Sequence, residues 1–433
     1  MRHVAVVLIL LAMSLFPSPS RAASDPAYRM RADQLLGILS APGREENFFS
    51  TLFLDAVPID RWRVVAAELR AAHGRPVAVG AVSRSSPTAG QVEIRYERAT
   101  IGFSLVVAPE APNPVVGLHV VGAKAMNDTP DKVAAEIAAL PGATAFAVAR
   151  LDDSGPSLIR AHRANARMAI ASSFKLLILA EAARATAAGE RHWTDVMPLG
   201  PKSFSGRLAE WPDQAPMTLH SLATAMIAES DNSAADTLLL ALGRAKVDAM
   251  LSATGHADPA SAMPVLTTAE TFALKMPANR DLLARYAAAS LDQRRLLLKD
   301  EAARLTAGQV DVGSVAEVPT AIGEAEWFAS PRDMIGLLDW LRVHGGDALP
   351  IMAVNPGIPP ADAKRWRYLG YKGGSEPGVM AINLLAQGQD GRWYAISASW
   401  NNPAARLDEG RFTALVTRLM NLLSDGGTTA ARW

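Results

Sequence analysis

The sequence contains no cysteine, which excludes disulfide bonds and thiolate metal sites. Its eight histidines show no spacing typical of metal ligands, so neither a metal nor a cofactor is expected. Basic and acidic residues are equally numerous, at 43 each, which argues against a nucleic-acid-binding protein. The pentapeptide Gly-x-Ser-x-Gly does not occur, so the nucleophile elbow of an α/β-hydrolase is excluded as well.

A long apolar run occurs only at the start of the chain. Arg2 and His3 precede an apolar core over residues 4–16, and Ser20-Arg21-Ala22 provides a small-residue cleavage site. This pattern predicts a secretory signal peptide over residues 1–22 and a periplasmic or secreted protein. No later segment offers eighteen uninterrupted apolar residues, so no integral membrane segment is expected after cleavage, and the lack of cysteine argues against a lipoprotein anchor.

The first of three short motifs is Ala171-Ser-Ser-Phe-Lys175, which opens an apolar run free of Gly and Pro up to Gly189. Ser172 is therefore expected at the N-terminus of a helix. Residues three apart lie on one helical face, so the Lys175 amine can reach the Ser172 hydroxyl and act as its base if burial removes it from water. The alternative is an ordinary N-capping serine followed by a solvated lysine.

The second motif is Ser230-Asp231-Asn232, which separates two predicted helical runs, 217–229 and 234–242. A serine hydroxyl in this connection can relay a proton to a leaving nitrogen. The Asn232 amide can hold both a lysine and a substrate carbonyl. Because Ser, Asp and Asn are also ordinary turn residues, the tripeptide alone is weak support for a catalytic site.

The third motif is Lys372-Gly373-Gly374-Ser375, which precedes a β-rich segment over residues 379–385 and is expected on an edge strand beside a cleft. Glycines allow a substrate backbone to come close, and Lys372 supplies positive charge for a carboxylate. The Ser375 N–H can join that of Ser172 in an oxyanion hole. A glycine-rich hairpin turn is the alternative.

In this order and spacing the motifs resemble those of the penicillin-recognising serine hydrolases, and within them the class A β-lactamases. Ala171 to Lys175 is similar to the nucleophile motif of that family, Ser230 to Ala235 to its serine-aspartate-asparagine loop, and Lys372 to Ser375 to its lysine-threonine-glycine strand. The resemblance covers roughly residues 125–433. It implies Ser172, Lys175 and Ser230 as catalytic residues. It also implies a substrate-binding set, namely Asn232, Lys372, Gly374 and Ser375.

Two departures from the family pattern bear on function. Gly373 stands where the family usually has a Thr or Ser hydroxyl, so carboxylate recognition is expected to shift to Ser375. The run Glu-x-x-Leu-Asn, which carries the glutamate that activates the deacylating water in class A enzymes, does not occur between Ser230 and Lys372. Substitutes are available among Glu317, Glu324 and Glu326, but each is expected to be a surface carboxylate. Acylation is therefore better supported than turnover.

The chain is longer than one average domain, and two are expected, both of the α+β class. Residues 25–123 show helical patterns at 28–38, 45–53 and 60–73, followed by strand patterns at 77–82, 91–98, 102–107 and 115–120. This order resembles the small cystatin-like or NTF2-like N-terminal domain of two-domain serine hydrolases related to a protein of clavulanate biosynthesis clusters. No catalytic constellation occurs in it.

Residues 125–433 are expected to form the β-lactamase/transpeptidase-like catalytic domain, an antiparallel sheet flanked by helices plus a helical lobe. A helix at 131–140 and strands at 144–151 and 157–161 precede the nucleophile helix, and strands at 381–387 and 393–399 precede a closing helix at 411–423. The segment 275–318 alternates Arg with Leu in a helical pattern. It forms either a lid or a solvated amphipathic hairpin.

Three functions remain open at this point. The first is a β-lactamase-like hydrolase acylated at Ser172. The second is an esterase or cell-wall peptidase on the same fold, with slow or no β-lactam turnover. The third is a non-catalytic binding protein that retains the site. The expected partner is a small molecule, namely a β-lactam, an ester or a short peptide, and the sequence does not determine the oligomeric state.

Overall fold

The computed structural model describes residues 25–126, 128–358 and 360–425. The predicted signal peptide, residues 1–22, lies outside these ranges. The chain divides into two compact units, residues 1–127 and 128–433, and each has a hydrophobic core of its own. No helix in the described ranges combines the length and the apolar character that a bilayer crossing requires.

The first unit has helices followed by an antiparallel sheet, as predicted. Its helices are α1 (Asp25–Ser40), α2 (Glu45–Phe48), α3 (Thr51–Ala56) and α4 (Ile59–His73). Its strands are β1 (Pro76–Arg84), β2 (Ala89–Tyr96), β3 (Ala99–Val107) and β4 (Val115–Ala125), paired in that order. The predicted helix over 45–53 is two helices, because Phe49 bridges to Val115 and Ser50 caps α3. The cystatin-like or NTF2-like assignment stays a prediction.

The second unit is helix-rich between its terminal strands. Its helices are α5 (Pro130–Ala138), α6 (Lys175–Ala187), α7 (Leu219–Ala228), α8 (Asn232–Leu242), α9 (Arg244–Ala253), α10 (Pro259–Ala262), α11 (Thr268–Leu274), α12 (Arg280–Ala288), α13 (Leu291–Asp300), α14 (Val312–Glu317), α15 (Pro331–His344), α16 (Ala348–Ala353), α17 (Pro360–Ala363) and α18 (Glu409–Asp425). Its strands are β5 (Ala143–Asp152), β6 (Gly155–His162), β7 (Met168–Ala169), β8 (Val196–Pro198), β9 (Pro216–Thr218), β10 (Phe328–Ala329), β11 (Tyr368–Glu376), β12 (Val379–Gln387) and β13 (Trp393–Asn401).

Strands from both ends of the second unit form one five-stranded antiparallel sheet, in the order β11-β12-β13-β5-β6. Strand β12 is buried along almost its whole length because both faces of the sheet are covered. One face packs against α5 and α18 and the other against the helical lobe that contains α6, α7, α8 and α15. The mixed α+β architecture and the edge position predicted for Lys372 are thereby confirmed.

The segment 275–318 contains the predicted helices, α12 and α13, with α14 after them. The Arg294 guanidinium donates to the carbonyl oxygens of Ser261 and Met263 at 3.4 and 3.3 Å, and Arg285 pairs with Glu301 at 2.8 Å. The apolar side chains of α12 and α13 share a small core with α11. The segment is therefore packed against the lobe, and a lid role stays a prediction.

Candidate active site

The nucleophile candidate Ser172 lies in a 3-10 turn, Ala171–Phe174, that runs directly into α6. Ala171, immediately before it, has a left-handed φ of 42°, a backbone conformation that side-chain-bearing residues rarely adopt outside functional sites. Ser172 is half-buried, whereas the Lys175 side chain is fully buried. The Lys175 Nζ lies 3.2 Å from the Ser172 Oγ, so the predicted i,i+3 contact is present.

The loop Ser230-Asp231-Asn232 connects α7 to α8, as predicted. The Asp231 carboxylate caps α8 by accepting from the Ala234 N–H at 2.8 Å, and its second oxygen accepts from the Leu208 N–H at 2.8 Å. With both carboxylate oxygens engaged, the loop is fixed. Ser230 adopts a left-handed φ of 58° and projects its hydroxyl toward the two lysines of the site.

Four oxygens surround the Lys175 amine. The two shortest contacts, both 2.6 Å, are to the Ser230 carbonyl and the Asn232 Oδ1, which only accept hydrogen bonds. The other two are to the hydroxyls of Ser172 and Ser230, both at 3.2 Å. A neutral lysine has two N–H donors and one lone pair. The donors match the two carbonyl oxygens, which leaves the lone pair for a hydroxyl proton.

Burial lowers the pKa of Lys175 to about 7, against the opposing influence of Asp236 and Asp231. A substantial fraction of Lys175 is therefore neutral near physiological pH. An amine with a pKa near 7 beside a serine hydroxyl can act as a general base, whereas an ordinary surface lysine, which is protonated at this pH, cannot.

Lys372 approaches the same serine loop from the edge strand β11. Its Nζ donates to the Ser230 Oγ at 2.9 Å and to the Gly373 carbonyl at 2.6 Å, and only 2% of the residue is exposed. Burial, and then the proximity of Lys175, lower the pKa of Lys372 well below its usual range. Within the described ranges neither lysine forms a salt bridge with a carboxylate, so a substrate carboxylate would meet no competing side-chain carboxylate at Lys372.

Gly374 brings β11 into contact with the nucleophile turn. A Cβ at this position would lie 2.5 Å from the backbone nitrogen of Ser172 and 2.8 Å from that of Ser173, so only glycine fits. Ser375, the next residue of β11, is exposed. The structure thus joins five of the seven predicted site residues by hydrogen bonds and Gly374 by packing, whereas Ser375 makes no hydrogen bond to them.

The absence of a side chain at Gly373 has a local cause. Tyr371, two residues earlier on the same face of β11, places its hydroxyl where a Cβ on Gly373 would be. Burial raises the pKa of Tyr371, with a further contribution from Glu409. A Thr or Ser at position 373 would therefore require the tyrosine ring to move.

Two polar supports of the site were missed by sequence reasoning. The Asn232 Nδ2 donates to the Ser205 Oγ at 2.8 Å, which fixes the orientation of the Asn232 amide toward Lys175. The Asn383 Nδ2 donates to the Ser173 Oγ at 2.9 Å and to the Lys372 carbonyl at 3.3 Å. Both supports come from segments without any motif, so no sequence signal pointed to them.

The prediction that Glu317, Glu324 and Glu326 are surface carboxylates is wrong for Glu326. Glu317 and Glu324 are exposed. Glu326 is buried, because its carboxylate pairs with Lys275 at 2.7 Å. A buried carboxylate needs such a partner to offset the loss of its hydration.

Comparison with known protein families gives a match to part of the second unit. The profile of the beta-lactamase enzyme family matches residues 129–343, which include the turn of Ser172 and the loop of Ser230. The chain belongs to the penicillin-recognising serine enzymes. No curated protein shows significant sequence similarity to this member of the superfamily.

Several solved structures are similar to the chain at low identity. A beta-lactamase from Sphaerobacter thermophilus is 19% identical, with a TM-score of 0.46, over 68% of this chain and 97% of its own. A beta-lactamase from Chitinophaga pinensis is 17% identical, with a TM-score of 0.45, over 70% and 100%. A structure of PBP-A is 15% identical, with a TM-score of 0.45, over 68% and 94%.

Proposed function

We propose that this chain is an exported serine hydrolase of the class A β-lactamase type, acylated at Ser172 by a β-lactam or a related amide or ester that it then hydrolyses. The observation that carries the proposal is the buried Lys175 amine, 3.2 Å from the Ser172 Oγ and without a carboxylate partner in the described ranges. Export is proposed from the signal-peptide pattern alone, and cell fractionation with a precursor-mass measurement tests it.

The chemistry assigns one role to each group of the site. Lys175 accepts the Ser172 hydroxyl proton while the Ser172 Oγ bonds to the substrate carbonyl carbon. The oxygen that gains charge accepts from the N–H groups of Ser172 and Ser375. When the carbon–nitrogen bond breaks, Ser230 gives its hydroxyl proton to the nitrogen and regains one from Lys175. An ester between Ser172 and the acyl group results.

Substrate binding is assigned to the remaining groups. Lys372, held at 2.9 Å from the Ser230 Oγ, attracts a carboxylate on the substrate. The Asn232 amide orients the acyl side chain, and Gly374 allows the close approach of β11 to the turn of Ser172. Water then cleaves the acyl ester and restores Ser172.

A second candidate, an esterase or cell-wall peptidase with slow β-lactam turnover, is favoured by one observation. None of the hydrogen bonds to Ser172, Lys175 or Ser230 within the described ranges comes from a carboxylate that could activate the deacylating water. An acyl-enzyme formed from a β-lactam would then persist, whereas one formed from a small activated ester would turn over.

Intact-mass measurement over time separates these two functions. The purified mature protein is exposed to a chromogenic cephalosporin and to short-chain p-nitrophenyl esters. A transient adduct with lactam turnover supports the β-lactamase, and a long-lived lactam adduct beside ester turnover supports the esterase. If the Ser172→Ala variant still forms the adduct or keeps the activity, the proposed mechanism is wrong.

A further inference from the structure

Three charged side chains form a buried cluster beside the candidate active site. The Lys275 Nζ lies 2.7 Å from Glu326 Oε1 and 2.6 and 2.8 Å from the two carboxylate oxygens of Glu376. The side chains of Lys275, Glu326 and Glu376 are 1%, 0% and 6% exposed. Removing two carboxylates and one lysine from water to this extent carries a large desolvation cost, which their mutual hydrogen bonds offset only in part.

Glu326 connects the cluster to the nucleophile turn. The next residue, Trp327, accepts a backbone hydrogen bond from the Ile170 N–H at 3.0 Å. Its indole ring also stacks on the Phe174 ring, with a centroid separation of 3.9 Å and nearly parallel planes. Ile170 and Phe174 flank the turn that carries Ser172, so the position of Glu326 is coupled to both ends of that turn.

Glu376 connects the cluster to the same turn through β11. Glu376 is the last residue of β11 and directly follows Ser375. Because side chains alternate along an unbroken strand, Glu376 lies on the same face as Gly374 and Lys372. That face is turned toward the nucleophile turn, since a Cβ on Gly374 would lie 2.5 Å from the Ser172 backbone nitrogen. Lys275, at the end of α11, therefore connects two segments. One contains Glu326 and is coupled to the turn that carries the Ser172 N–H, and the other is the end of β11, which carries the Ser375 N–H.

The charges of the cluster do not balance without a proton. Two carboxylates and one ammonium leave one negative charge in a dry site, and among the described residues the titratable groups that act on Glu376 are Glu326 and Lys275. Burial raises the pKa of Glu376 well above its usual range, and the neighbouring Glu326 carboxylate raises it further. The carboxylates raise the pKa of Lys275 against the effect of burial, so this lysine stays charged.

We propose that Lys275, Glu326 and Glu376 are positioning residues that hold the N–H groups of Ser172 and Ser375 in place for acylation, and that they do so while their two carboxyl groups retain one proton. Loss of that proton adds a buried negative charge next to the site where the oxyanion forms. The inference rests on the proposed function, because it assumes acylation at Ser172.

The test is the pH dependence of the acylation rate, measured with a neutral p-nitrophenyl ester so that attraction of a substrate carboxylate by Lys372 plays no part. The wild-type rate is expected to fall at alkaline pH as the shared proton is lost. Glu376→Gln and Glu326→Gln are each expected to remove this alkaline fall, because the amide is neutral at every pH. Glu324→Gln, at an exposed position, is the matched control and keeps the wild-type profile.

Lys275→Met removes the cation that holds the two carboxyl groups together. It leaves two carboxyls without their cation, and a displacement of the oxyanion donors by about 1 Å lowers the acylation rate on the order of a hundredfold at all pH values. Circular dichroism and the melting temperature of each variant separate this loss from unfolding. If Lys275→Met does not fold, the two isosteric Gln variants decide the question alone.

The outcomes separate this inference from the proposed function. An acylated wild-type protein whose alkaline profile is unchanged in both Gln variants overturns the positioning role and leaves the proposed function standing. A wild-type protein that no lactam or ester acylates at Ser172 overturns the proposed function, and the positioning role with it.

Discussion

Lys175 and Lys275 are both fully buried lysines of the second unit, and they differ in their partners. Lys175 faces carbonyl and hydroxyl oxygens, and burial lowers its pKa to about 7. Lys275 faces two carboxylates, which raise its pKa. The same side chain is thus poised as a neutral base in one place and kept as a permanent cation in the other. The carboxylate partner, rather than burial, decides which role a buried lysine takes.

The largest effect is expected from removing the base. Lys175→Met keeps the volume and the apolar stem but has no proton acceptor, so acylation of Ser172 should fall on the order of 10²- to 10⁴-fold. The matched control is Lys246→Met, an exposed lysine that pairs with Glu190 at 2.8 Å, which should acylate at the wild-type rate. Stopped-flow acylation by a chromogenic cephalosporin measures both. A fully active Lys175→Met enzyme would exclude Lys175 as the base.

The next largest effect is expected at Gly374. An added methyl group in Gly374→Ala collides with the backbone of Ser172 and Ser173, so β11 and the nucleophile turn must separate. A shift of about 1 Å in the oxyanion donors should lower the acylation rate roughly a hundredfold. Gly323→Ala is the control, because no atom lies within 4 Å of the new methyl group. Equal rates in the two variants would show that this close approach is not needed.

The comparison of the two lysines also shows where sequence reasoning succeeds and where it stops. The three motifs, the edge strand, the nucleophile helix and the two helices that flank the Ser230 loop were predictable, because local spacing determines them. Ser172 and Lys175 are three residues apart, whereas Lys275 lies 51 residues from Glu326 and 101 from Glu376. No periodic pattern links residues so distant, and an isolated glutamate is usually exposed unless it is paired. The sequence therefore points to Lys175 as the proposed base and gives no sign of the cluster of Lys275, Glu326 and Glu376.

A carboxylate introduced beside Lys175 should make it resemble Lys275. Asn232→Asp places a negative charge where the Oδ1 now lies, 2.6 Å from the Lys175 Nζ, and an opposite charge at this distance raises a lysine pKa. Since the ammonium form cannot accept a proton, acylation at pH 7 should fall about fivefold for the first unit by which the pKa rises and about tenfold for each further unit.

The pH dependence of the acylation rate shows whether Asn232→Asp acts by raising the pKa of Lys175. In the wild type the lysine is neutral above its pKa of about 7, so acylation rises with pH through that value. In Asn232→Asp the rise should move to higher pH, so the loss of rate relative to the wild type should shrink as the pH increases. Asn165→Asp, at an exposed position that pairs with Arg332, should leave the profile unchanged. A uniform loss at every pH would instead indicate that the Asn232 amide is needed for substrate binding.

The smallest effects are expected from the exposed glutamates that sequence reasoning had kept as substitutes for the deacylating base. Glu317→Gln and Glu324→Gln remove charges that face solvent, so acylation and hydrolysis should each stay within about twofold of the wild type. Release of the acyl group, followed by intact mass after a pulse of cephalosporin, is the measurement that matters here. A stalled adduct in either variant would mean that a surface carboxylate moves into the site during turnover. The contrast between Lys175, which has no carboxylate partner, and Lys275, which has two, would then hold for acylation only.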